Sequence, residues 1–470
     1  MITNLNPYPA YKPSGVPWLG EVPEHWEVNP VKRYYAIQLG KMLQTTPTSP
    51  EDVEVPYLKA QHVQWFSVRT LDAPKMWASP RDIQQFGITA GDLLVCEGGE
   101  GGRCGIVKEI ADGFIIQNAL HRVRPRDHCR NDYLQYVMRL ISVTGWFEAL
   151  NNKATIAHFT GEKFGSLYIP IPLHDEQTAI VRFLDYKDRR IRRFIRAKQK
   201  LIKLLEEYRQ ALIHQAVTGK IDVRTGQPYA AYKRSGVPWL GKVPEHWELA
   251  GLRYLTSCLD GRRVPLNAVA RGNMQGPYPY WGANKIIDFI NDYLFDEPLV
   301  LLGEDGAPFF EANKEVAFFV EDKIWVNNHA HVLRCKDRLQ PRYLVHVLNL
   351  TDYTRFVDGS TRDKLTQQAM GSIPIILPRL DEQTAIVEYL DAQTSKLDTA
   401  IATTRREIEL LREYRTRLIA DVVIGKVDVR EVAAQLPEEP PEEEVGTEEE
   451  EVAADELATV DSQEESNGEE

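Results

Sequence analysis

Apolar residues return every seven positions in two stretches of this chain. From about Asp175 to Val217 the series runs Leu184, Ile191, Lys198, Leu205 and Leu212, with Ile195, Ile202 and Ala216 four residues after one of its members. A second stretch repeats the register with Leu390, Leu397, Thr404, Leu411 and Leu418, accompanied by Ile401, Ile408 and Val422. A heptad stripe kept over about four repeats predicts two long helices that pack seam to seam. Pro170, Pro172, Pro374 and Pro378 lie upstream, where the helices have not begun, and Gly219 and Gly425 are placed to end them. Each helix of about 40 residues would span about 60 Å, and an antiparallel pair would make a rigid spacer. The alternative is two independent amphipathic helices, each covering its own domain.

Elsewhere the period changes to short β-type runs. "GDLLVCEGGEGGRCGIV" (Gly91–Val107) predicts strand, glycine-rich hairpin loop, strand, with Arg103 at the tip, and "EPLVLLGEDGAPFF" (Glu297–Phe310) occupies the corresponding place later. "YLQYVMRL" (Tyr133–Leu140) and "YLVHVLNL" (Tyr343–Leu350) predict helices packed on those strands.

The chain is a duplicated unit. Ala10–Glu27 matches Ala231–Glu248 at 16 of 18 positions, repeating "SGVPWLG-x-VPEHWE". "DEQTAIV" occurs at Asp175 and again at Asp381, and Leu204–Arg224 agrees with Leu410–Arg430 at 13 of 21 positions. Between these blocks the copies diverge, apart from an Asn-x-x-His-x-x-Arg echo in "QNALHRVRP" (Gln117–Pro125) and "NNHAHVLRC" (Asn327–Cys335). The expected organisation is a head segment (1–27), a variable domain (28–170) and a helix (171–224). A second head (225–248), a second variable domain (249–374), a second helix (375–430) and an acidic tail (431–470) follow. The fold class is therefore α+β: two mixed α/β domains in pseudo-twofold arrangement, joined by two long antiparallel coiled-coil helices, with a disordered acidic C-terminal tail.

Charge changes the picture once it is divided. The net charge is −12, but Pro437–Glu470 alone holds 16 acidic residues and no Lys or Arg, which leaves +4 on residues 1–436. A mildly basic body permits a nucleic-acid partner. Five cysteines with no CxxC pair indicate reduced thiols and a cytoplasmic setting rather than a disulfide or zinc framework. No apolar run reaches the ~20 residues a membrane span needs.

Candidate chemistry is sparse. The glycines of Gly98–Gly105 match neither GxGxxG nor GxxxxGK[ST]. His329 and His331 alternate without companions at metal-ligand spacing, so no metal site is expected. "YPYW" (Tyr278–Trp281) lacks the acidic or amide residue and the double proline of an amino-methyltransferase box. No catalytic set is evident, which points to a non-catalytic chain. Basic and amide residues interleave with aromatics in both variable domains: Lys41, Lys59, Gln61, Arg103, Lys153, His158 and Lys163 in the first, and Arg262, Arg263, Asn284, Lys285, Arg362 and Lys364 in the second. Such side chains pair with base edges and phosphates, although singly each is more often a solvated charge. Trp18, Trp26, Trp239 and Trp247 in the heads are either anchors for a partner or staples holding each head to its own domain.

Taken together, the duplicated heads, the "IPIP…DEQTAIV" and "IPIILP…DEQTAIV" helix starts, the "VTGKIDVR" and "VIGKVDVR" helix ends, and "QNALHRVRP" with "TIAHFTGEKF" (Thr155–Phe164) resemble the specificity subunit of type I DNA restriction–modification systems. The resemblance covers residues 1–430; the acidic tail departs from it. It implies that each variable domain is a target recognition domain for one half of a split, asymmetric DNA site, held apart by the helices. It also implies that the chemistry belongs to partners: two copies of a modification subunit that methylates adenine from S-adenosylmethionine, and restriction subunits that need ATP and Mg²⁺. The rival reading is a tandem coiled-coil scaffold that does not bind DNA.

Overall fold

A computed structural model describes residues 5–98, 100–145, 159–311, 314–358 and 363–437. The chain forms two compact units, one taking Met1–Arg196 with Ile408–Glu470 and the other Ala197–Glu407. The heptad stretches fold as two uninterrupted helices of 44 residues, α1 (His174–Val217) and α2 (Leu380–Val423). Each unit therefore contains a head, a mixed α/β domain and part of each long helix.

Within the second unit the helices run antiparallel. Lys198 Nζ lies 2.6 Å from Glu407 Oε2, Arg405 is 3.3 Å from Glu206, and Arg209 is 3.6 Å from Asp398. In the first unit Arg415 pairs with Asp188 in the same sense. The stripe residues Leu184, Ile191, Ile195, Leu212, Leu390, Ile401, Ile408 and Leu418 are buried, each worth roughly 1.5–3 kcal/mol of burial. Ile202, Leu205, Leu397 and Leu411 are only half-buried, because two helices alone cover a side chain less than a helix and a domain together. Thr404 is buried and turns its hydroxyl back to Ala400 O at 2.8 Å.

Each α/β domain is built on a four-stranded antiparallel sheet. In the first unit it comprises β1 (Tyr35–Leu39), β2 (Leu93–Cys96), β3 (Cys104–Ile106) and β4 (Leu120–Pro125), in the order β3-β2-β4-β1. In the second unit β5 (Thr256–Cys258), β6 (Leu299–Gly303), β7 (Ala317–Val320) and β8 (Ala330–Cys335) reproduce it as β7-β6-β8-β5. The central strands β2 and β6 are apolar throughout and buried at every position, as strands covered on both faces require. The expected helices cover these sheets as Asn131–Val143 and Pro341–Asn349, with Leu134, Val137, Leu344 and Val347 in the core.

A second sheet in each domain, three-stranded in the first and four-stranded in the second, was not legible in the sequence. It contains one parallel contact in each copy, Tyr57 with Ile115 and Tyr280 with Trp325. "YPYW" falls on a strand of this sheet, Gln275–Trp281.

The heads close the units in an unforeseen way. Each is a short hairpin, Tyr11–Pro13 with Glu21–Pro23 and Tyr232–Arg234 with Lys242–Pro244. The first head seats on the end of α2 and the second on the end of α1. Both helices stop as anticipated at a glycine with positive φ, Gly219 at 68° and Gly425 at 77°. The amide of the following lysine bonds a carbonyl five residues back, Lys220 to Gln215 and Lys426 to Asp421, each at 2.8 Å. A Cβ on Gly219 would lie 2.9 Å from the Trp247 ring, and one on Gly425 2.9 Å from the Trp26 ring.

A five-residue cluster locks each closure. In the first unit Glu176, on the first turn of α1, accepts from Tyr8 at 2.6 Å and lies 3.0 Å from His25 and 3.9 Å from Arg430. In the second, Glu382 takes Tyr229 at 3.3 Å, His246 at 3.0 Å and Arg224 at 2.9 Å. Asp428 and Asp222 fork onto the respective arginines.

The boundary set for the tail is corrected. Arg430–Ala434 is helical, and Ala433 and Leu436 pack into the core of the first unit. Their apolar side chains place residues 431–437 in the fold; residues 438–470 of the acidic segment lie outside the described residues. Among the described residues no helix is long and apolar enough to cross a membrane.

Candidate nucleic-acid interface

At the end of the central strand of each four-stranded sheet, three segments meet in the same way. In the first domain Glu97 directly follows strand β2; its amide donates to Ala119 O at 2.9 Å and its carbonyl accepts from Phe159 N at 2.7 Å. In the second, Glu304 directly follows β6; its amide donates to His329 O at 2.8 Å and its carbonyl accepts from Leu365 N at 2.7 Å. A fully buried histidine holds the returning chain. His121 Nε2 is 3.0 Å from Phe159 O, and His331 Nε2 is 2.8 Å from Leu365 O. The next residue, Thr160 or Thr366, caps a short helix, Gly161–Ser166 or Gln367–Ser372. These histidines are those of the Asn-x-x-His-x-x-Arg echo. Its arginines are structural: Arg124 forks onto Asp92, and Arg334 onto Glu297, at the start of the neighbouring strand.

The two latches differ in charge. Around His121 burial pushes the imidazole pKa down. His331 Nδ1 instead lies 2.6 Å from Asp260. Burial opposes the charge of Asp260, but hydrogen bonds from His331 and the Val332 amide, with the charges of His331 and Arg263, hold its pKa down at about 2. Asp260, Glu304 and His331 present ligand-type atoms within 4.8 Å of one another. Arg263 pairs with two of these groups, 2.7 Å from Glu304 and 3.4 Å from Asp260.

The thirteen candidate contacts divide accordingly. Lys153, His158 and Arg362 lie outside the described residues. Lys41 is paired with Asp82 at 2.9 Å and bridges to Gln117. Arg103 is corrected: it is not at the hairpin tip but 19% exposed, held by Glu100 at 3.2 Å and Ala60 O at 3.3 Å. That contact brings it to the turn Ala60–His62, where Gln61 is exposed and the amide of Lys59 donates to His62. Lys163 is exposed on the capped helix.

In the second domain Arg263 is 11% exposed and paired with Glu304, Asp260 and Ala330 O. Lys364 is 52% exposed and meets the same Glu304 at 3.3 Å. Arg262 turns away to Glu297 and the Phe295 ring. Asn284 and Lys285 are half-exposed in the turn before strand Ile286–Ile290. Sequence reasoning missed Glu97 and Glu304, the pivots of both latches; "VCEGG" and "LLGEDG" share a glutamate directly after the central strand, and that was the available signal.

The tryptophans resolve by burial. Trp26 and Trp247 are fully buried against the helix ends and offer nothing to a partner, whereas Trp18 and Trp239 are half-exposed.

Two segments, residues 79–204 and 245–410, match the type I restriction modification DNA specificity domain and together cover more than half of the chain. The chain belongs to this family. A Haemophilus influenzae protein described as a type I restriction enzyme specificity subunit is 37% identical over 141 residues, 30% of this chain and 36% of its own length; the chain thus spans about a third of that relative. The MjaVIII specificity subunit of Methanocaldococcus jannaschii is 20% identical over 433 residues, 87% of this chain and 94% of that one. Among solved structures, a chain from work on the assembly and conformational transition of the type I R-M system aligns with TM-score 0.67 at 15% identity, over 86% of this chain and 99% of that one. The HsdS subunit from Thermoanaerobacter tengcongensis gives 0.52 at 15%, covering 86% and 98%. These structural likenesses speak to the fold. Membership of the specificity family assigns the chain a role in DNA sequence specificity.

Proposed function

We propose that this chain reads a bipartite, asymmetric DNA site, one target recognition domain to each half, and brings partner subunits to it. The observation that carries this reading is one latch geometry, Glu97–Phe159–His121 and Glu304–Leu365–His331, repeated in two domains whose exposed residues differ. A common scaffold with divergent surfaces is what two readers of different sequences need. The segments ending at the latches carry Lys153, His158, Arg362 and Lys364; with Gln61, Lys163, Asn284 and Lys285 they form the contact set we assign to DNA.

Partner docking is supported by apolar residues that the fold leaves in solvent on the shared helices. Leu204 and Tyr208 in one unit are 51% and 58% exposed, and their counterparts Leu410 and Tyr414 in the other are 47% and 49% exposed. An identical i, i+4 pair in each repeat suits two copies of one modification subunit. In this proposal S-adenosylmethionine, ATP and Mg²⁺ are bound by modification and restriction subunits, and this chain contributes recognition without catalysis.

Exchanging residues 28–167 for the corresponding domain of another specificity subunit tests the reading. Methylome sequencing of cells carrying the complete system should show one half-site changed and the other retained. A change in both halves would refute the division of labour, and loss of all sequence preference would favour the scaffold.

A further inference from the structure

The point where the acidic segment leaves the fold is fixed against α1. Leu436 is buried in the core of the first unit, and Arg182 of α1 donates to its carbonyl at 2.6 Å. The 33 residues that follow, 438–470, contain 16 carboxylates and no Lys or Arg.

From Arg182 onward α1 is strongly basic. Residues 182–196 hold seven cations (Arg182, Lys187, Arg189, Arg190, Arg192, Arg193, Arg196) against Asp185 and Asp188, a net +5. Both acids are engaged within the unit, Asp185 by Tyr136 and Asp188 by Arg192 and Arg415. The equivalent stretch of α2, residues 388–402, holds Lys396 against Glu388, Asp391 and Asp398, a net −2. The two helices have the same length and repeat the same heptad register. At 100° per residue, Arg182, Arg189, Arg193 and Arg196 fall within a sector of about 60°. Arg182 and Arg193 are exposed, and Arg189 and Arg196 half-exposed. The stretch from Arg182 to Arg196 is about 21 Å long, whereas 33 residues can extend to about 110 Å. The fold thus ends beside the basic face, in the same unit and at the same end of α1, and neither the basic stretch nor the acidic sequence that follows has a counterpart in the other repeat.

We infer that residues 438–470 dock along the basic face of α1 and shield it from polyanions. The occupant is this chain's own C-terminal segment, and the contact is electrostatic. The consequence for DNA rests on the function proposed above: the shield lowers affinity for random duplex, which depends on cation–phosphate contacts, without entering the reading surfaces.

The docking arm of the test contains no DNA, so its failure is distinct from failure of the functional reading. A fluorescent peptide of residues 438–470 is titrated by anisotropy into the chain ending at 437, where the described fold ends, and into the full chain. Saturable binding is expected to the shortened chain, about tenfold weaker to the full chain, and lost on raising NaCl from 50 to 300 mM. Glu→Gln changes at residues 442–444 and 448–451 of the peptide, which carry no folding risk for the protein, should abolish it. Arg189→Gln/Arg193→Gln/Arg196→Gln in the shortened chain should weaken it at least tenfold with the thermal transition retained. Equal binding to both chains, or by the Gln peptide, would overturn the docking. In the second arm the shortened chain should bind a random 30-bp duplex about tenfold more tightly than the full chain; equal affinity would overturn the shielding.

Discussion

Replacing Gly425 by alanine tests how the first unit is closed. At φ 77° an L-residue pays about 1–2 kcal/mol for the left-handed backbone. The added methyl would also meet Pro23 Cδ at 2.5 Å, Pro23 Cγ at 2.6 Å and the Trp26 ring at 2.9 Å. A fully buried ring and a proline ring have no free rotamer into which to retreat, so overpacking adds about 1–3 kcal/mol. The total is about 2–5 kcal/mol. Gly20→Ala is the internal control, since Gly20 has φ 63° and nothing within 4 Å of its would-be Cβ. It bears only the backbone strain, and both variants gain the same small entropic benefit in the unfolded chain. Gly219→Ala and Gly226→Ala form the same pair in the second unit. Urea unfolding gives the free energies, and hydrogen exchange read by mass spectrometry assigns each loss to a unit. Gly425→Ala should cost 1–3 kcal/mol more than Gly20→Ala, with the excess confined to the first unit. Values within about 0.5 kcal/mol of each other would refute the clamp between head and helix end.

Other perturbations follow from the same geometry. His331→Leu removes the hydrogen-bond partner of the buried Asp260 carboxylate and the tether to Leu365, so it should cost about 3 kcal/mol, while His121→Leu loses one hydrogen bond to a backbone carbonyl and should cost about 1 kcal/mol; equal losses in urea titrations would contradict the part the Asp260 carboxylate plays in the second latch. Burial holds the His346 pKa down to about 4. Because the folded pKa lies below the unfolded value near 6.5, the folded state binds fewer protons between these limits. The second unit should then lose about 1–3 kcal/mol of stability as pH falls from 6.5 to 4, and His346→Gln should flatten that profile; an unchanged slope would reject the assignment. Leu410→Glu with Tyr414→Glu should reduce the bound modification subunit from two copies to one by native mass spectrometry, and retention of two copies would remove this face from the docking surface.

Local periodicity was enough for much of the architecture. The duplication, both long helices, their glycine stops, the central strands and the covering helices depend on residues within a few turns of one another, where side-chain spacing decides which face is buried. The first head's place on the end of α2 was not legible, because it joins Trp26 to Gly425 across nearly 400 residues, and no local pattern selects that partner. The parallel pairings of Tyr57 with Ile115 and Tyr280 with Trp325 were hidden for the same reason.

Residue type identified cations suited to DNA, but only packing decided which remain available. Arg263 is consumed by Glu304 and Asp260, and Arg103 by Glu100 and the Ala60 carbonyl, whereas Lys364 keeps half its surface. Sequence alone determined that this protein is one plan written twice. Tertiary structure decided that each unit is assembled from both writings, because an antiparallel helix pair brings the end of each helix to the head of the other repeat.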